Sequence, residues 1–218
     1  MKAIESLILE HQRIGRLVDA LDAYSRSLGR TGSVDPGHLA DFAAIFTEFA
    51  ECLHHEKEES ILMPALSRAG ARWDVGALPA VRRDHRQEAY LIDVLRQAGE
   101  RAASWNEEDL RRVAAAAQAL VEFQRSHHAL ESSELFPLVA SHLSDQQRDE
   151  LQAALELFDQ RHELRRSAAL ARMDVLVARY EPVRHSGVRT LLGGQLAERD
   201  LAVGDPSEPS ESRLDVDL

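Results

Sequence analysis

The sequence is poor in lysine, cysteine and aromatic residues. Its basic residues are almost all arginine, because Lys2 and Lys57 are the two lysines among 26 basic side chains. We attribute this bias to the overall composition of the chain and assign neither lysine to a site. Cys52 is the single cysteine, which excludes a disulfide framework within the chain. The remaining composition, with 44% hydrophobic and 29% charged residues, is that of a globular protein.

Long apolar runs are absent as well. No stretch approaches the roughly 20 apolar residues that a membrane-spanning helix needs. The first residues, MKAIESLILEH, lack the apolar region and the cleavage site of a signal peptide. The net charge is −11 and no basic patch stands out, so nucleic acid is not an expected partner. We therefore expect a cytoplasmic protein that binds neither membranes nor nucleic acids.

Apolar residues recur at every third or fourth position, whereas the alternation typical of strands is absent. The fold class predicted from this pattern is all-α. Helices are expected over about residues 2–28 and 36–70, from about 79, from 106 to beyond 127, and over 144–179.

The helices group into three regions of the chain. We predict an antiparallel up-down-up-down four-helix bundle at residues 1–142, with an additional C-terminal helix at 143–180 that packs on the bundle. Residues 181–218 are rich in Asp, Glu, Ser, Gly and Pro. This composition is typical of a disordered segment, and we expect an acidic tail there.

The chain repeats itself after 73 or 74 residues. The segment HHEKEESILMP at 54–64 matches HHALESSELFP at 127–137, with His, His, Glu, Ser, Leu and Pro at identical offsets. Another histidine precedes each segment, His11 in LEHQRI and His85 in RDHRQE. Each repeat therefore predicts a helical hairpin, with one histidine on its first helix and a histidine and a glutamate, four residues apart, on its second.

Residues four apart lie on one helical face, so the histidine and glutamate of each second helix point together. At a rise of about 1.5 Å per residue, the first hairpin returns its second helix to the level of His11. Unpaired buried carboxylates are costly, whereas imidazoles and carboxylates together bind transition metals. We therefore interpret six residues as ligands of two metal ions: His11, His54, Glu58, His85, His127 and Glu131.

Each repeat ends in a proline, six residues after its glutamate. Pro64 and Pro137 have no backbone N–H, so the carbonyl groups of Ser60 and Ser133 lose their helical partners. We expect a kink or the end of the regular helix at both places.

These motifs resemble the hemerythrin family, in particular its HHE cation-binding branch, over about residues 1–140. The resemblance implies a non-haem centre of two Fe ions, bridged by two glutamates and by an oxo or hydroxo group. Zinc and manganese are the alternative metals. The implied ligands are His11 and His54 on one iron, His85 and His127 on the other, and Glu58 and Glu131 as the bridges.

The sequence departs from the oxygen carriers of that family at two places. The carriers have a second histidine one turn after that of the third helix, where this chain has Ala89. Their bridging carboxylate on the fourth helix is an Asp five residues after its histidine, whereas Glu131 follows His127 by four. One metal should therefore have fewer protein ligands and an open position, which argues against simple reversible oxygen carriage.

By the same resemblance, the protein binds or reacts with a small oxidant, namely oxygen, peroxide or nitric oxide. One alternative is a non-catalytic iron-binding or stress-response protein that acts through a protein partner, with the acidic tail as the contact. Another is a bundle with a zinc or manganese site and no redox role. We expect the pocket beside the metals to have an apolar lining of Phe46, Phe49, Ile61 and Ile92.

Four further residues are weaker candidates. Glu88 lies one turn beyond His85 and is either a seventh ligand or a hydrogen-bond partner of a ligand histidine. His162 could supply the missing ligand if its helix folds back, and a solvent-exposed position is the alternative. The second histidines of the repeats, His55 and His128, are expected on the surface, because the pairing with glutamate recurs only for the first histidine of each repeat. A position behind the ligands or at a helix interface is the alternative.

Overall fold

The computed structural model describes residues 2–28, 35–102 and 105–180, and the regular elements in these ranges are helices. No strand occurs in this described part of the chain, which confirms the all-α class. The tail predicted at 181–218 lies outside the described residues. None of the described helices has both the length and the apolar character required to cross a membrane.

In the described residues, eight α-helices follow a short 3-10 turn at Lys2–Ile4. They are α1 (Glu5–Leu28), α2 (Gly37–Ile45), α3 (Met63–Arg68), α4 (Ala77–Glu100), α5 (Glu107–Leu130), α6 (Phe136–His142), α7 (Asp145–Arg161) and α8 (Glu163–Tyr180). The chain between α2 and α3, and between α5 and α6, continues in wider π-helical turns. These occupy Phe46–His55, Glu58–Leu62 and Glu131–Leu135.

Several helix ends coincide with local sequence signals. Asn106 and Asp109 form a capping box at the start of α5, where each side chain accepts a 3.0 Å hydrogen bond from the other residue's N–H. Ser144 and Gln147 form the same arrangement at the start of α7. Gly70 follows α3 with a φ of 102°, a conformation that favours glycine and lets the chain leave the helix. The predicted helix starts at 106 and 144 are thus confirmed.

The predicted C-terminal helix over 144–179 is two helices, α7 and α8, which are separated at His162. The N–H of His162 bonds to the carbonyl groups of Phe158 and Asp159, and its φ and ψ of −108° and 11° leave the helical range. Because the sequence has neither Gly nor Pro here, its periodicity does not show the break. α7 packs against the N-terminal turn and the Glu58–Leu62 segment, whereas α8 packs against α1 and α2.

A layer of buried polar side chains divides the apolar core into two clusters. α1 packs against α5, and α4 packs against both α2 and α5, as expected for a helical bundle. In each of four helical stretches, residues of the two clusters flank the polar positions. The flanking pairs are Leu7 and Ile14 around His11, Leu62 and Leu53 around 54–58, Val81 and Ile92 around His85, and Leu135 and Val121 around 127–131. The predicted ligands therefore have apolar packing on both sides.

The close approach of α4 to α2 depends on Gly99. A Cβ atom at this position would lie 3.0 Å from the backbone N of Ala40 and 3.1 Å from its Cα. We expect Gly99→Ala to lower the free energy of unfolding by about 1–3 kcal/mol, because the two helices must move apart. Urea unfolding measures the change.

Gly15 of α1 provides the control, because a Cβ atom there meets nothing within 4 Å. Gly15→Ala should raise the free energy of unfolding by about 0.5–1 kcal/mol, as alanine does in an unobstructed helix. Equal effects of the two substitutions would contradict the packing argument.

Candidate metal centre

The structure brings all six predicted ligand residues together inside the bundle. His54, Glu58, His127 and Glu131 are at most 1% exposed, His85 is 5% exposed, and the side chain of His11 is 10% exposed. Within the described part of the chain, their inward-facing atoms have no hydrogen-bond partner: the Nε2 atoms of the four histidines and both oxygens of each glutamate. Buried polar atoms without partners are costly, so this layer fits a cation that would ligate them.

One group of donors contains His11, His54, Glu58 and Glu131, whose ligand atoms lie within 4.8 Å of one another. Glu131 Oε2 is 2.9 Å from His11 Nε2, and Glu58 Oε1 is 3.6 Å from His54 Nε2. Two imidazole nitrogens and two carboxylate oxygens could therefore hold one cation. We call these residues the two-histidine group.

A second group contains His55, His85 and His127, whose ligand atoms also lie within 4.8 Å of one another. The other oxygens of the same two glutamates face it. Glu58 Oε2 is 3.3 Å from His85 Nε2, and Glu131 Oε1 is 3.3 Å from His127 Nε2. Each glutamate thus turns one oxygen toward each group, a placement that suits two cations with bridging carboxylates. We call the second set the three-histidine group.

The sequence interpretation missed His55. We expected it on the surface, but it is 5% exposed, and its ring stacks on that of His85 with centroids 3.9 Å apart. It supplies a third imidazole from the second helical stretch, whereas the third stretch has Ala89 one turn after its histidine. The three-histidine group is therefore not short of donors, contrary to the expectation drawn from Ala89.

A π-helical segment explains how two adjacent histidines can both face the interior of the bundle. Successive residues diverge by roughly 100° on an α-helix, and a wider turn reduces this angle. His54 and His55 end the π-helical segment Phe46–His55, so both can face the interior. The pair of adjacent histidines was the available signal in the sequence. The spacing of the apolar residues around this pair does not distinguish an α-helix from a π-helix.

Glu58 and Glu131 each begin a π-helical turn, and a proline lies two residues beyond its end. In the first repeat, the N–H of Met63 bonds to the carbonyl of Glu58, five residues back, and Pro64 follows with no N–H to offer. The second repeat has the equivalent bond from Phe136, again followed by proline. The regular α-helix is interrupted at both places, as predicted.

Burial keeps several of the site histidines neutral. It lowers the pKa of His54 and His55 well below their usual range, and it lowers the pKa of His127 to about 4. Because metals bind the neutral imidazole, these residues need not lose a proton before they bind a metal near neutral pH.

The central carboxylates and His85 shift one another's pKa. Burial and the proximity of Glu131 raise the pKa of Glu58 well above its usual range. Burial also acts on Glu131, but the imidazoles of His11 and His85 outweigh it and hold the pKa of Glu131 well below its usual range. Against the effect of its own burial, the neighbouring carboxylates raise the pKa of His85 to about 11. A cation that binds here must displace the protons on Glu58 and His85.

The outward nitrogens of two of the candidate ligand histidines contact further carboxylates. His54 Nδ1 is 3.2 Å from Glu10 Oε2, and His85 Nδ1 is 2.8 Å from Glu59 Oε1. A carboxylate at this place favours the proton on Nδ1 and leaves Nε2 free to face the centre. The sequence interpretation had identified neither Glu10 nor Glu59.

Glu88 is completely buried beside the three-histidine group. Its Oε1 accepts a 2.5 Å hydrogen bond from Gln124, whereas its unpartnered Oε2 lies 3.4 Å from His55 Nε2. Burial raises the pKa of Glu88 to about 8. The position fits either a further ligand or a partner of His55, the two roles that the sequence left open.

A surface pocket of about 330 Å³ reaches the three-histidine group. Its lining is mostly charged or ligating: Glu51, His55, Glu56, Glu59, His85, Arg86 and Ala89. The apolar lining expected from the sequence is wrong, because Phe46, Phe49 and Ile92 are packed in one core cluster and Ile61 packs against the other.

The remaining histidine candidates belong to neither group. His128 is half-buried and stacks on His11, with ring centroids 4.2 Å apart, so its expected surface position is also wrong. His162 lies at the junction of α7 and α8, where its Nδ1 is 2.9 Å from the carbonyl oxygen of Phe158. It therefore does not replace the histidine that the carriers have at the position of Ala89.

Residues 2–139 match the family model of the hemerythrin HHE cation binding domain. This range covers more than half of the chain and contains both groups of donors. The chain belongs to this family. The resemblance inferred from the repeated motifs is thus confirmed. Comparisons of this hemerythrin domain protein with curated proteins and with solved structures find no match.

The buried glutamates should lower the stability of this hemerythrin domain when no metal is bound. Glu58 must take up a proton or bury a charge at pH 7, because its pKa lies well above that of the unfolded chain. We expect Glu58→Gln to raise the free energy of unfolding of the chelated protein by about 1–3 kcal/mol and to weaken metal binding.

Glu56→Gln is the matched control, since Glu56 is exposed and two residues away. It should change neither the stability nor the metal affinity. Denaturant unfolding with a chelator present measures the stabilities, and a destabilised Glu58→Gln variant would show that the carboxylate is well accommodated without metal.

Proposed function

We propose that this chain is a hemerythrin-like, non-haem di-iron protein that binds or reacts with a small oxidant such as oxygen, peroxide or nitric oxide. One observation carries the proposal: Glu58 and Glu131 each direct one oxygen toward each histidine group. A single metal ion does not require this arrangement. Two ions bridged by carboxylates use all four oxygens.

The two groups support an assignment of ligands to each metal. We infer that His11 and His54 hold one ion and that His85 and His127, with the newly found His55, hold the other. We further propose that residues 1–142 form the metal-binding bundle in up-down-up-down order, with 143–180 as an appended helical region. A cytoplasmic location fits the single cysteine, because it leaves the chain without an internal disulfide.

The donor set favours iron over the alternative metals. Structural zinc sites are tetrahedral with four ligands, whereas the three-histidine group and its two facing carboxylate oxygens offer five donors. Manganese prefers oxygen ligands, and imidazole suits iron better. When bound, a pair of irons would supply one-electron redox chemistry and a coordination position for a small ligand.

The surrounding residues control which molecules reach the centre. The two apolar clusters exclude bulk water above and below the ligand layer. The pocket beside His55 and His85, which is lined by three glutamates and one arginine, gives a small molecule a route to the three-histidine group. Small oxidants such as oxygen, hydrogen peroxide and nitric oxide fit this access route.

Metal analysis and a near-ultraviolet spectrum of the full chain, purified with iron available, test the proposal. We expect about two irons per chain and the absorption band of an oxo-bridged pair. One zinc per chain without that band would refute the di-iron assignment. Consumption of oxygen or peroxide that disappears in Glu58→Ala would distinguish reaction from binding alone.

His55 should be necessary for the second ion. We expect His55→Ala to reduce the iron content from about two to about one per chain, because the three-histidine group loses an imidazole. His128→Ala is the control and should retain both irons, since His128 belongs to neither group. Elemental analysis after dialysis measures both, and full retention of iron in His55→Ala would remove His55 from the ligand set.

Ala89 should set the width of the access route. Ala89→Leu places a larger side chain in the lining of the pocket, so we expect slower reaction with peroxide or slower binding of nitric oxide at an unchanged iron content. Gln87→Leu is the control on the exposed surface of α4, outside the pocket lining. Stopped-flow spectroscopy compares the two variants, and equal rates would mean that ligands enter elsewhere.

A further inference from the structure

Lys57 is completely buried, although lysine is normally among the most exposed residue types. It is one of only two lysines in the chain, and the sequence interpretation attributed it to composition. An ammonium group inside a protein requires anionic partners, because its desolvation is otherwise very costly. The identity of those partners connects Lys57 to the metal centre.

Lys57 lies between two carboxylates. Its Nζ donates to Glu10 Oε1 at 2.6 Å and to Asp159 Oδ1 at 2.8 Å. Glu10 is 1% exposed, and its other oxygen, Oε2, is 3.2 Å from His54 Nδ1. Arg166 Nε lies 3.6 Å from Glu10 Oε1 and adds a second cation. A continuous path of charged contacts therefore runs from Asp159 to a histidine of the two-histidine group.

The contact with Glu10 determines which nitrogen of His54 faces the centre. A neutral imidazole carries its proton on one nitrogen only. When Glu10 accepts a hydrogen bond from Nδ1, the lone pair remains on Nε2, which lies 3.6 Å from Glu58 Oε1 and has no hydrogen-bond partner. Lys57 anchors the other oxygen of Glu10, so the carboxylate stays directed at His54.

The outer contacts of two other histidines differ from that of His54 in exposure or in distance. Glu59, which contacts His85 Nδ1, has a side chain that is 34% exposed to solvent. His127 Nδ1 lies 3.9 Å from Asp84, too far for a hydrogen bond. In the path through Glu10 and Lys57, by contrast, both residues are shielded from water.

The path also crosses the boundary of the family domain. Asp159 belongs to α7, beyond residues 2–139 that the family model matches. Simple coverage of apolar surface by α7 and α8 does not require a buried lysine. The appended helices instead reach the ligand layer through a charged contact.

We propose that Lys57 and Asp159 are positioning residues for His54, which set its tautomer through Glu10 and so make the appended helices part of the metal centre. The inference rests on the proposed function, because it assigns His54 Nε2 to a metal ion. The positioning role does not depend on which oxidant the centre binds.

Solution NMR of the full chain with isotope-labelled histidines reads the tautomer, first without metal and then with Zn²⁺ as the probe. In the wild-type chain we expect the proton of His54 on Nδ1. Lys57→Met retains most of the side-chain volume without the charge; it should give a mixture of tautomers and weaken Zn²⁺ binding about tenfold or more. Asp159→Asn should shift both quantities in the same direction by a smaller amount.

Asp174→Asn is the matched control. Asp174 also joins an appended helix to α1, through Arg13 at 3.3 Å and Arg16 at 3.6 Å, but its side chain is 53% exposed and these contacts do not involve the ligand layer. It should leave the tautomer and the Zn²⁺ affinity unchanged. Equal changes in Asp174→Asn and Asp159→Asn would assign the effect to loosened packing and overturn the proposal.

The remaining outcomes of the experiment also test the proposal. An unchanged His54 tautomer in both Lys57→Met and Asp159→Asn overturns the proposal, as does a wild-type proton on Nε2. If circular dichroism shows that Lys57→Met does not fold, Asp159→Asn decides alone, because it leaves Lys57 paired with Glu10. A chain that binds no metal but shows the expected tautomer changes supports the positioning role and refutes the proposed function.

Discussion

The burial of two glutamates and five histidines between two apolar clusters is the constraint on which the rest of the structure depends. Ionisable groups without partners are strongly unfavourable in a protein interior, so the surrounding elements must direct each donor atom to a useful place. The π-helical turns aim adjacent residues into the same layer. Outer carboxylates such as Glu10 and Glu59 orient the imidazole rings from behind. The unfavourable burial of ionisable groups is confined to one layer, and the apolar clusters pack against that layer from both sides.

Much of the fold, and the presence of six candidate donors on inward faces, could be predicted because they depend on local rules. Periodicity located the long helices, and side-chain signals at Asn106 and Ser144 located two of their starts. The spacing of four residues between His54 and Glu58 places both on one helical face whatever the packing. Recurrence of that spacing in a second repeat singled out His54 and His127, but the same criterion set His55 aside.

The features that could not be predicted depend on contacts between distant residues or on small changes of helix type. The role of His55 follows from a π-helical segment, whose sequence pattern resembles that of an α-helix. The break at His162 has no glycine or proline to mark it. Lys57 meets Asp159, a hundred positions later in the chain, only after the appended helices have folded back. A rare lysine in an arginine-rich chain was the sole local signal of that contact.

The sharing of glutamates between the two groups links metal binding to the stability of the folded chain. Glu131 of the second repeat faces histidines of the first, while Glu58 and His55 of the first face those of the second. A metal ion bound to either group therefore acts as a cross-link between the two hairpins. An ion that binds only the folded chain stabilises it by about 2.7 kcal/mol when its free concentration is about 100 times the Kd. Loss of the metal would remove this cross-link and lower the free energy of unfolding of the bundle as a whole.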